Sequence, residues 1–550
     1  MTVVEPAPKI INRRNGPLPT QKTSSEASGS NGRSSFPVTT PRLPDLPEYT
    51  WQEVARHNTP ASCWVYIGTK VYDITPWLDR HPGGRHVLLL AAGRDCTDLF
   101  ISYHPFTELP GKMLAKFCVG QVRTTEFPQF QPDSGFYAEV RAQVGAFFRD
   151  RKLDPKDPIP GFQRLAVMLL CAALSFALLI YGDKGALPWY VRAAGAVVFG
   201  FFQAIVLLHV MHDASHTAIG SAAKGWQWIG KFCMDWFAGA SLNSWHNQHI
   251  LGHHVYTNVM GIDPDLPVAA TGDIRRVCLH QRWSPVYRFQ YVYLSILYGL
   301  LALKFRLQDI TDTVVDKTNG KIRVNDLGWR ETATQLLSKA FWAWWRWCLP
   351  LVYFHVEPVS FVALSLLAEC ITGYYLAFNF QVSHVSPLVD FPDKEQPDGR
   401  FPLEWAHSQV ATTLDYGYGS PVTAFMTGAL NYQSIHHLFP SVSQYHYPAI
   451  APTVYRVAEK HGVKINYVAS FTEAFRMHIK QLYTLGRFAI HYAHGSVSPW
   501  TVMHFLFAAH QAGNCLVIFT KEVLSYEYYE ALSGPDIQRG FRLPQFTAGD

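Results

Sequence analysis

The sequence predicts a mainly α-helical membrane protein with four transmembrane helices and a small α+β domain ahead of them. Several long apolar stretches approach the roughly 20 residues that a helix needs to cross a bilayer. Charged residues make up only 16% of the 550 residues and aromatic residues reach 14%, whereas about a quarter of a typical soluble domain is charged. This composition indicates a chain that is partly solvated by lipid.

The N-terminal part of the chain changes character twice. Residues 1–46 are rich in Ser, Thr, Pro, Asn and Gly, so they cannot offset their ordering entropy by burial and are predicted to form a disordered tail. Residues 47–122 contain short mixed segments that are typical of a small α+β domain. The polar, proline-containing segment 123–160 is predicted to be a linker.

Two apolar stretches predict the first pair of transmembrane helices. They are Leu165–Tyr181 and Ala193–Val210, and the few residues between them indicate a helical hairpin. Residues 161–485 as a whole are predicted to form a membrane-embedded domain. The last segment, 486–550, is a C-terminal extension of unknown role.

The second pair of transmembrane helices is less regular. It is predicted over Ala340–Val356 and Val359–Phe380, although Arg346 and Glu369 lie within these stretches. The apolar stretch Phe289–Leu303 is short, and we interpret it as an interfacial helix that does not cross the bilayer.

The basic residues ahead of the first span predict its orientation. They are Arg149, Arg151, Lys152, Lys156 and Arg164. The positive-inside rule places this end in the cytosol. With four spans, both termini, the segment 211–339 and the chain beyond about 381 are then cytosolic.

Charge and cysteine content limit the classes of partner. The formal net charge of +5 is modest for this length, so it does not indicate a nucleic-acid partner, and a basic surface near anionic lipid headgroups explains it. The nine cysteines are scattered singly, without a Cys-x-x-Cys pair. Neither a disulfide framework nor a thiolate zinc site is predicted, which is typical of a reducing, cytosol-facing protein.

Two histidines in the predicted α+β domain suggest a haem site. His81-Pro-Gly-Gly84 is followed by Ser102-Tyr-His104-Pro, and the glycines allow the backbone to turn tightly beside a porphyrin. A haem iron with two axial histidines has no open position, so it transfers electrons and does not bind oxygen. The alternative is that His81 only caps a turn and His104 is an ordinary surface histidine.

The wider segment resembles cytochrome b5. The resemblance rests on Tyr49-Thr-Trp-Gln-Glu-Val, Cys63-Trp-Val, Val71-Tyr-Asp-Ile-Thr and Gly93-Arg-Asp-Cys-Thr-Asp-Leu-Phe100. It implies that His81 and His104 are the axial ligands of haem b. His86 lies nearby, but its position does not match the ligand positions of that family.

Three histidine clusters lie on the predicted cytosolic side, and we call them box one, box two and box three. They are His212-Asp-Ala-Ser-His216, His249-Ile-Leu-Gly-His253-His254 and Gln433-Ser-Ile-His436-His437. In a helix, histidines four residues apart share one face. Seven histidines exceed the three or four ligands of a zinc ion, whereas imidazole suits iron, and two iron ions would use this many donors. Zinc also has no redox chemistry to match a haem donor.

The order of domain, spans and boxes resembles the front-end desaturases of polyunsaturated fatty-acid synthesis. This resemblance implies a non-haem di-iron centre that activates O2 and inserts a cis double bond on the carboxyl side of an existing one. It maps the catalytic iron ligands onto His212, His216, His249, His253, His254, His436 and His437. A further histidine after the last span, His384, is the expected counterpart of another iron ligand in the wider superfamily. Gln433 replaces a histidine of other desaturases and is expected either to bind iron weakly or to shape the site.

The resemblance also implies partners and a location. The expected partners are a polyunsaturated fatty acyl chain carried on a phospholipid or coenzyme A, O2, NADH-cytochrome b5 reductase and the lipid bilayer, with no nucleic acid. The expected location is the endoplasmic reticulum membrane, with several spans.

The position of the new double bond is suggested by two segments. Gly252-His-His-Val-Tyr-Thr-Asn258 and Asp263-Pro-Asp-Leu-Pro resemble fungal and protist delta-5 desaturases, which favours C20 substrates. Delta-6 and delta-4 desaturation, a sphingolipid delta-8 desaturase and a lipid hydroxylase remain alternatives on the same scaffold. An alternative of another class is a membrane haem electron carrier with inactive histidine clusters.

Overall fold

The computed structural model describes residues 46–185, 187–221, 223–266, 274–392 and 398–487. The predicted disordered tail, apart from its last residue, and nearly all of the C-terminal extension lie outside these residues. Elements are numbered below in chain order.

The N-terminal domain is a small α+β unit, as the sequence predicts. Its sheet has the order β1-β5-β4-β3-β2, in which β1 pairs with β5 in parallel and the other pairs are antiparallel. The strands are β1 Glu48–Tyr49, β2 Asn58–Thr59, β3 Ser62–Ile67, β4 Lys70–Asp73 and β5 Cys118–Val122. The helices are α1 Trp51–Ala55, α2 Arg85–Ala91, α3 Thr97–Tyr103 and α4 Leu109–Leu114. The side chain of Thr50 and that of Glu53 cap the first turn of α1 reciprocally, as in a capping box.

The segment predicted to be a linker is structured in its middle part. β6 (Gln129–Gln131) pairs in parallel with β9 (Arg400–Glu404), and α5 (Phe136–Arg151) buries apolar side chains in the largest core of the protein. The carboxylate of Asp133 accepts hydrogen bonds from the amides of Tyr137 and Ala138 at the start of α5, which stabilises the helix end. Periodic apolar positions in α5 outweigh the polar composition of the flanking residues, so the predicted linker over 123–160 contains a strand and a helix that pack onto the rest of the protein.

The membrane-embedded domain is built from long helices. α6 (Ile159–Lys184) and α7 (Trp189–Val206) form the predicted hairpin, and α7 continues through a π-helical turn at Leu207–Met211 into α8 (His212–Ser215). After α9 (Ala223–Lys231) and a π-helical turn at Phe232–Phe237, α10 (Leu242–Trp245) also widens into π-helical geometry, over His246–His253. π-helical turns are frequent at functional sites.

The remaining elements complete this domain. They are 3₁₀ turn Pro285–Phe289, α11 Gln290–Leu297, 3₁₀ turn Tyr298–Leu300, α12 Leu301–Ile310, π turn Thr311–Val315, β7 Thr318–Asn319, β8 Ile322–Arg323, α13 Trp329–Ala343, π turn Trp344–Tyr353, α14 Pro358–His384, α15 Trp405–Ala411, β10 Asp415–Tyr416, α16 Pro421–Met426, α17 Gln433–Leu438, 3₁₀ turn Gln444–His446, α18 Tyr447–Lys460, β11 Tyr467–Val468 and α19 Phe471–Arg487. Glu357 caps α14 through the amides of Val359 and Ser360, and Pro358 begins the helix.

Four helical stretches among the described residues are long and apolar enough to cross a membrane. They are Ile159–Gly182, Trp189–Ser215, Pro285–Val315 and Pro358–His384. The number agrees with the prediction, but the third stretch is Pro285–Val315 and not Ala340–Val356. Charged Arg346 and the tryptophans around it reduce the mean hydropathy of the latter.

The stretches Pro285–Val315 and Ala340–Val356 nevertheless differ in their contacts. Beyond Pro285–Val315, Arg323 and Asn325 donate hydrogen bonds to backbone carbonyls of the N-terminal domain, so this part of the chain lies on the side of that domain. Phe354, at the end of the helix that starts at α13, packs against Tyr181 at the far end of α6, with ring centroids 5.6 Å apart. The C-terminal end of the helix from Trp329 to Tyr353 therefore lies beside that end of α6.

The charges that interrupt the predicted second pair of spans neutralise each other. Glu369 accepts a hydrogen bond of 2.5 Å from Arg306 and lies 3.5 Å from Nη2 of Arg346. All three side chains are buried, and the Arg346 guanidinium also lies 4.8 Å from the ring centroid of Phe199. Charged groups at membrane depth are tolerated when they are paired in this way.

We expect Glu369→Gln to destabilise the protein strongly, because it leaves two buried guanidinium groups without a counter-charge. Breaking a buried pair typically costs about 3–5 kcal/mol. The measurement is thermal unfolding in detergent micelles. The matched control is Asp326→Asn, which weakens the exposed Lys317–Asp326 pair and should change stability by less than about 1 kcal/mol. Equal effects of the two variants would contradict this account.

Candidate metal centres

Four separate segments deliver the box histidines to one place. The extension of α7 carries box one, the π-helical extension of α10 carries box two, α17 carries box three, and α14 ends at His384. The predicted metal-binding side chains are all at most 3% exposed: His212, His216, His249, His253, His254, His384, Gln433, His436 and His437. The structure therefore brings together every residue that the sequence predicts for this site.

The side chains form two adjoining groups. In the first group, ligand nitrogens of His212, His216, His249 and His436 all lie within 4.8 Å of one another. In the second group, the same limit holds for His253, His384 and His437. His254 connects the two groups, because one of its ring nitrogens lies within this distance of ligand nitrogens of both His436 and His437.

Several imidazole nitrogens in these groups face each other, with no hydrogen-bond acceptor between them. Nε2 of His249 lies 3.3 Å from Nε2 of His212 and 3.2 Å from Nε2 of His254. Nε2 of His216 and Nε2 of His436 are buried and have no hydrogen-bond partner among the described residues. Buried polar atoms are normally satisfied, so these converging lone pairs fit metal ions.

The second nitrogen of six of these rings is held by an outer acceptor, whereas Nδ1 of His254 has no partner among the described residues. Asp265 contacts Nδ1 of His249 and Asp263 contacts Nδ1 of His253, both at 2.9 Å. An imidazole that donates its Nδ1 proton to such an acceptor keeps Nε2 free for a metal, and the acceptor orients the ring.

Neutral acceptors serve four other rings. Nδ1 of His437 lies 2.7 Å from Oε1 of Gln409, that of His436 lies 3.1 Å from the hydroxyl of Tyr447, and that of His384 lies 3.3 Å from the carbonyl of Thr412. Nδ1 of His216 lies 2.8 Å from the hydroxyl of Tyr103, which belongs to the N-terminal domain.

The sequence patterns predict no role for these outer residues. Only Asp263 and Asp265 carry a local signal, since two carboxylates follow box two within about ten residues. Tyr103, Gln409 and Tyr447 reach the site through tertiary contacts, and nothing in their local sequence marks them.

The electrostatics keep most of the rings neutral. Burial, with a further contribution from neighbouring histidines, lowers the pKa of His216, His249, His254 and His436 well below the usual value. Burial also acts on His253, but the charges of Asp263 and Asp265 outweigh it and raise its pKa. Neutral imidazole is the form that binds metal ions, so the site favours that form.

Gln433 lies inside the second group. Its Nε2 is 2.9 Å from Nε2 of His384 and 3.2 Å from Nε2 of His437, and its Oε1 has no hydrogen-bond partner within the described part of the chain. The amide therefore occupies the position of a further ligand or of a group that shapes this half of the site.

His81 and His104 face each other in the N-terminal domain, as the sequence predicts. Their ring centroids are 6.2 Å apart, and backbone carbonyls of Gly84 and Phe100 lie near their Nδ1 atoms, at 3.4 and 2.9 Å. Metal–imidazole bonds are about 2 Å long, so one metal ion fits between the two Nε2 atoms. A Cβ on Gly83 would lie 2.8 Å from the His81 ring, which explains why glycine is needed beside it.

His86 does not belong to this pair. Its Nε2 lies 3.4 Å from Nδ1 of His246 in the extension of α10, and both rings are buried. The expectation that His86 is not an axial ligand agrees with this placement.

A narrow apolar cavity lies between the membrane helices next to box one. Its wall includes Met211, His212, Trp245, Phe305, Leu376 and Phe380. Its volume is about 30 Å³, so a long ligand can enter only if some of these side chains rotate.

Comparisons with known families match both parts of the chain. A family model described as "Fatty acid desaturase" matches residues 187–469, and one described as "Cytochrome b5-like Heme/Steroid binding domain" matches residues 50–123. The second match includes His81 and His104, and the first includes all three boxes.

Curated relatives match over most of the chain. "Delta(5) fatty acid desaturase A" of Dictyostelium discoideum is 39% identical over 80% of this chain and 94% of its own length. "Acyl-lipid (8-3)-desaturase" of Mortierella alpina is 36% identical over 80% of this chain and 97% of its own. "Acyl-lipid (7-3)-desaturase" of Rebecca salina is 30% identical over 76% and 90%, respectively.

We expect Asp263→Asn to lower the affinity for iron by about 10- to 100-fold, because the charged acceptor that orients His253 is lost. The measurement is iron per protein by mass spectrometry after dialysis against a graded chelator. The control is Asp398→Asn, which changes an exposed carboxylate that binds Gln131 and Arg400. Unchanged iron retention in Asp263→Asn, with retained thermal stability, would argue against this role.

We expect His104→Ala to abolish haem binding, because one of the two facing imidazoles is lost. His86→Ala should retain haem, since His86 contacts His246 and lies outside the facing pair. The measurement is the haem absorbance of the purified protein relative to total protein. Loss of haem in His86→Ala but not in His104→Ala would show that the ligand pair is wrongly identified.

Proposed function

The chain belongs to the fatty acid desaturase family, in the form that carries an N-terminal cytochrome b5-like domain, and we propose that it introduces a cis double bond at the delta-5 position of C20 polyunsaturated acyl chains. The delta-5 position is supported by the names of the more similar relatives and by the box-two segments noted above. The word "acyl-lipid" in some of those names favours a phospholipid carrier over coenzyme A.

The observation that carries the proposal is the convergence of the boxes with His384. We propose that two iron ions bind there, one in each group of imidazoles. Their ligands would be His212, His216, His249, His253, His254, His384, His436 and His437, with Gln433 as a weak ligand or a shaping group. Haem b would bind between His81 and His104. This assignment uses the buried nitrogens that otherwise lack a partner.

The proposed domains follow from this assignment. Residues 47–122 form the haem domain and 161–485 the desaturase domain, with 123–160 between them, partly folded onto the latter. Residues 1–46 form a tail and 486–550 an extension.

The reaction needs few protein groups beyond metal ligands. When bound, an iron pair supplies oxygen activation and hydrogen removal, as cofactors generally carry the difficult chemistry. Burial holds most of the imidazoles neutral, and Asp263, Asp265, Gln409 and Tyr447 orient them. It also excludes bulk water, because the ligand side chains are almost fully buried.

The acyl chain would occupy the apolar cavity beside His212. Met211, Leu376 and Phe380 line it from two membrane helices, so a methylene chain entering between the helices would pass next to the first imidazole group. Because the cavity is narrow, rotation of the surrounding side chains would accompany binding, and their shape would contribute to selectivity.

The enzyme spans the membrane several times. We propose that this membrane is the endoplasmic reticulum membrane and that the haem domain, boxes and termini lie on its cytosolic side. Trp329–Tyr353 would pair with α14 as the second hairpin, with Pro285–Val315 lying along the interface. The contacts of Arg323 and Asn325 with the haem domain support this arrangement. NADH-cytochrome b5 reductase would supply the electrons.

Expression in yeast fed individual C18, C20 and C22 polyunsaturated acids tests the proposal. We expect a new delta-5 double bond in C20 substrates, located by gas chromatography with mass spectrometry. The double variant His436→Ala/His437→Ala should give no product while retaining the haem absorbance. Products with only delta-6 or delta-4 bonds would overturn the regioselectivity, and hydroxylated products or none would overturn the desaturase assignment itself.

A further inference from the structure

The haem domain reaches one box histidine directly. The hydroxyl of Tyr103 lies 2.8 Å from Nδ1 of His216, and the two rings are nearly parallel, with an interplanar angle of 24°. Tyr103 immediately precedes His104, one of the two facing imidazoles of the haem domain. A single residue therefore connects a proposed haem ligand to a proposed iron ligand.

This contact belongs to a fixed docking surface. Asn325 donates hydrogen bonds of 2.9 Å to the carbonyls of Leu89 and Ala92. Arg323 binds the carbonyl of Gly93 at 2.9 Å and Glu126 at 2.8 Å. Since backbone carbonyls of the haem domain are held at several points, Tyr103 is positioned by the interface as a whole.

A second contact between the two domains gives a less direct connection between the haem ligands and the iron ligands. His86 meets His246 at 3.4 Å, but His246 belongs to none of the groups whose ligand atoms converge. His86 also lies five residues from His81, so the covalent path from the haem ligand is longer.

We propose that Tyr103 is a positioning residue that connects the haem to the iron pair and carries the route of electron transfer. The route runs from His104 along the backbone to Tyr103, across one hydrogen bond, and through the ring of His216. Electron tunnelling decays more slowly along covalent and hydrogen-bonded paths than across empty space, so this short path is favoured. The proposal rests on the proposed function.

The electron balance requires the route to be used twice for each double bond. One electron leaves the reduced haem at a time, which takes its iron from ferrous to ferric, and reduces one ferric ion of the iron pair. Two such electrons, two protons from solvent and the two hydrogens removed from the acyl chain reduce O2 to two molecules of water. A reductase then reduces the haem again.

Box three provides an internal comparison. The hydroxyl of Tyr447 lies 3.1 Å from Nδ1 of His436, and Nε2 of His436, like Nε2 of His216, has no partner in the described chain. Tyr447 begins α18 of the membrane-embedded domain, and among the described residues no hydrogen bond joins it to His81 or His104. Tyr447→Phe therefore removes the same kind of hydrogen bond without touching the proposed route.

The experiment compares Tyr103→Phe, Tyr447→Phe and His86→Ala in the full-length holoenzyme. Each protein is reduced anaerobically and then mixed rapidly with O2 and a C20 polyunsaturated phospholipid in detergent micelles. The return of the ferric haem absorbance gives the rate of electron transfer, and the rate without acyl substrate gives the background. Haem and iron contents are measured on the same samples.

We expect Tyr103→Phe to slow haem reoxidation, per bound iron, by about 10-fold, the lower end of the effects seen for lost outer partners of metal ligands. Tyr447→Phe should lower iron retention by about 10-fold but slow reoxidation per bound iron less than Tyr103→Phe does. His86→Ala should leave the reoxidation rate unchanged.

Three outcomes would overturn the proposal. Equal slowing in Tyr103→Phe and Tyr447→Phe would show that Tyr103 only orients His216. Slowing in His86→Ala alone would move the route to the second contact. A normal rate in all variants would place the route elsewhere. If even the unmodified protein shows no substrate-dependent reoxidation, the proposed function itself fails.

Discussion

The structure depends on the burial of eight imidazoles from four distant segments in two adjoining groups. Burial of so many polar rings is unfavourable unless each nitrogen is used. The outer nitrogens of six rings meet carboxylate, amide, hydroxyl and carbonyl oxygens, whereas several inner nitrogens face one another without protein acceptors. Metal ions at the centre would use these nitrogens, and their binding would then be coupled to folding stability.

The same requirement explains the arrangement of the helices. The membrane helices end at the level of the site, so that box one and His384 reach it from two spans, and box two approaches along a helix widened into π-helical geometry. Farther along the helices, Glu369 and two arginines form a buried cluster. Pairing is again the condition for polar groups at this depth. The apolar cavity lies between these two polar regions.

The docking of the N-terminal domain gives the site a partner within the same chain. Fusion raises the effective concentration of the electron donor, but the contacts do more than tether it. Hydrogen bonds from Arg323 and Asn325 hold the domain in one orientation, in which Tyr103 completes the outer partners of the box histidines. A metal site in one domain thus receives one of its orienting groups from the other.

The sequence by itself determined the haem pair, the three boxes, the first hairpin and the family. These features are local: the spacing of His212 and His216 and the sequence around His81 can be recognised without knowledge of the fold. Tertiary structure alone decided the outer partners Gln409 and Tyr447, the folding of the predicted linker onto the core, and which apolar stretch runs beside α6. These features depend on contacts between residues far apart in the chain, and local hydropathy and residue spacing do not predict such contacts.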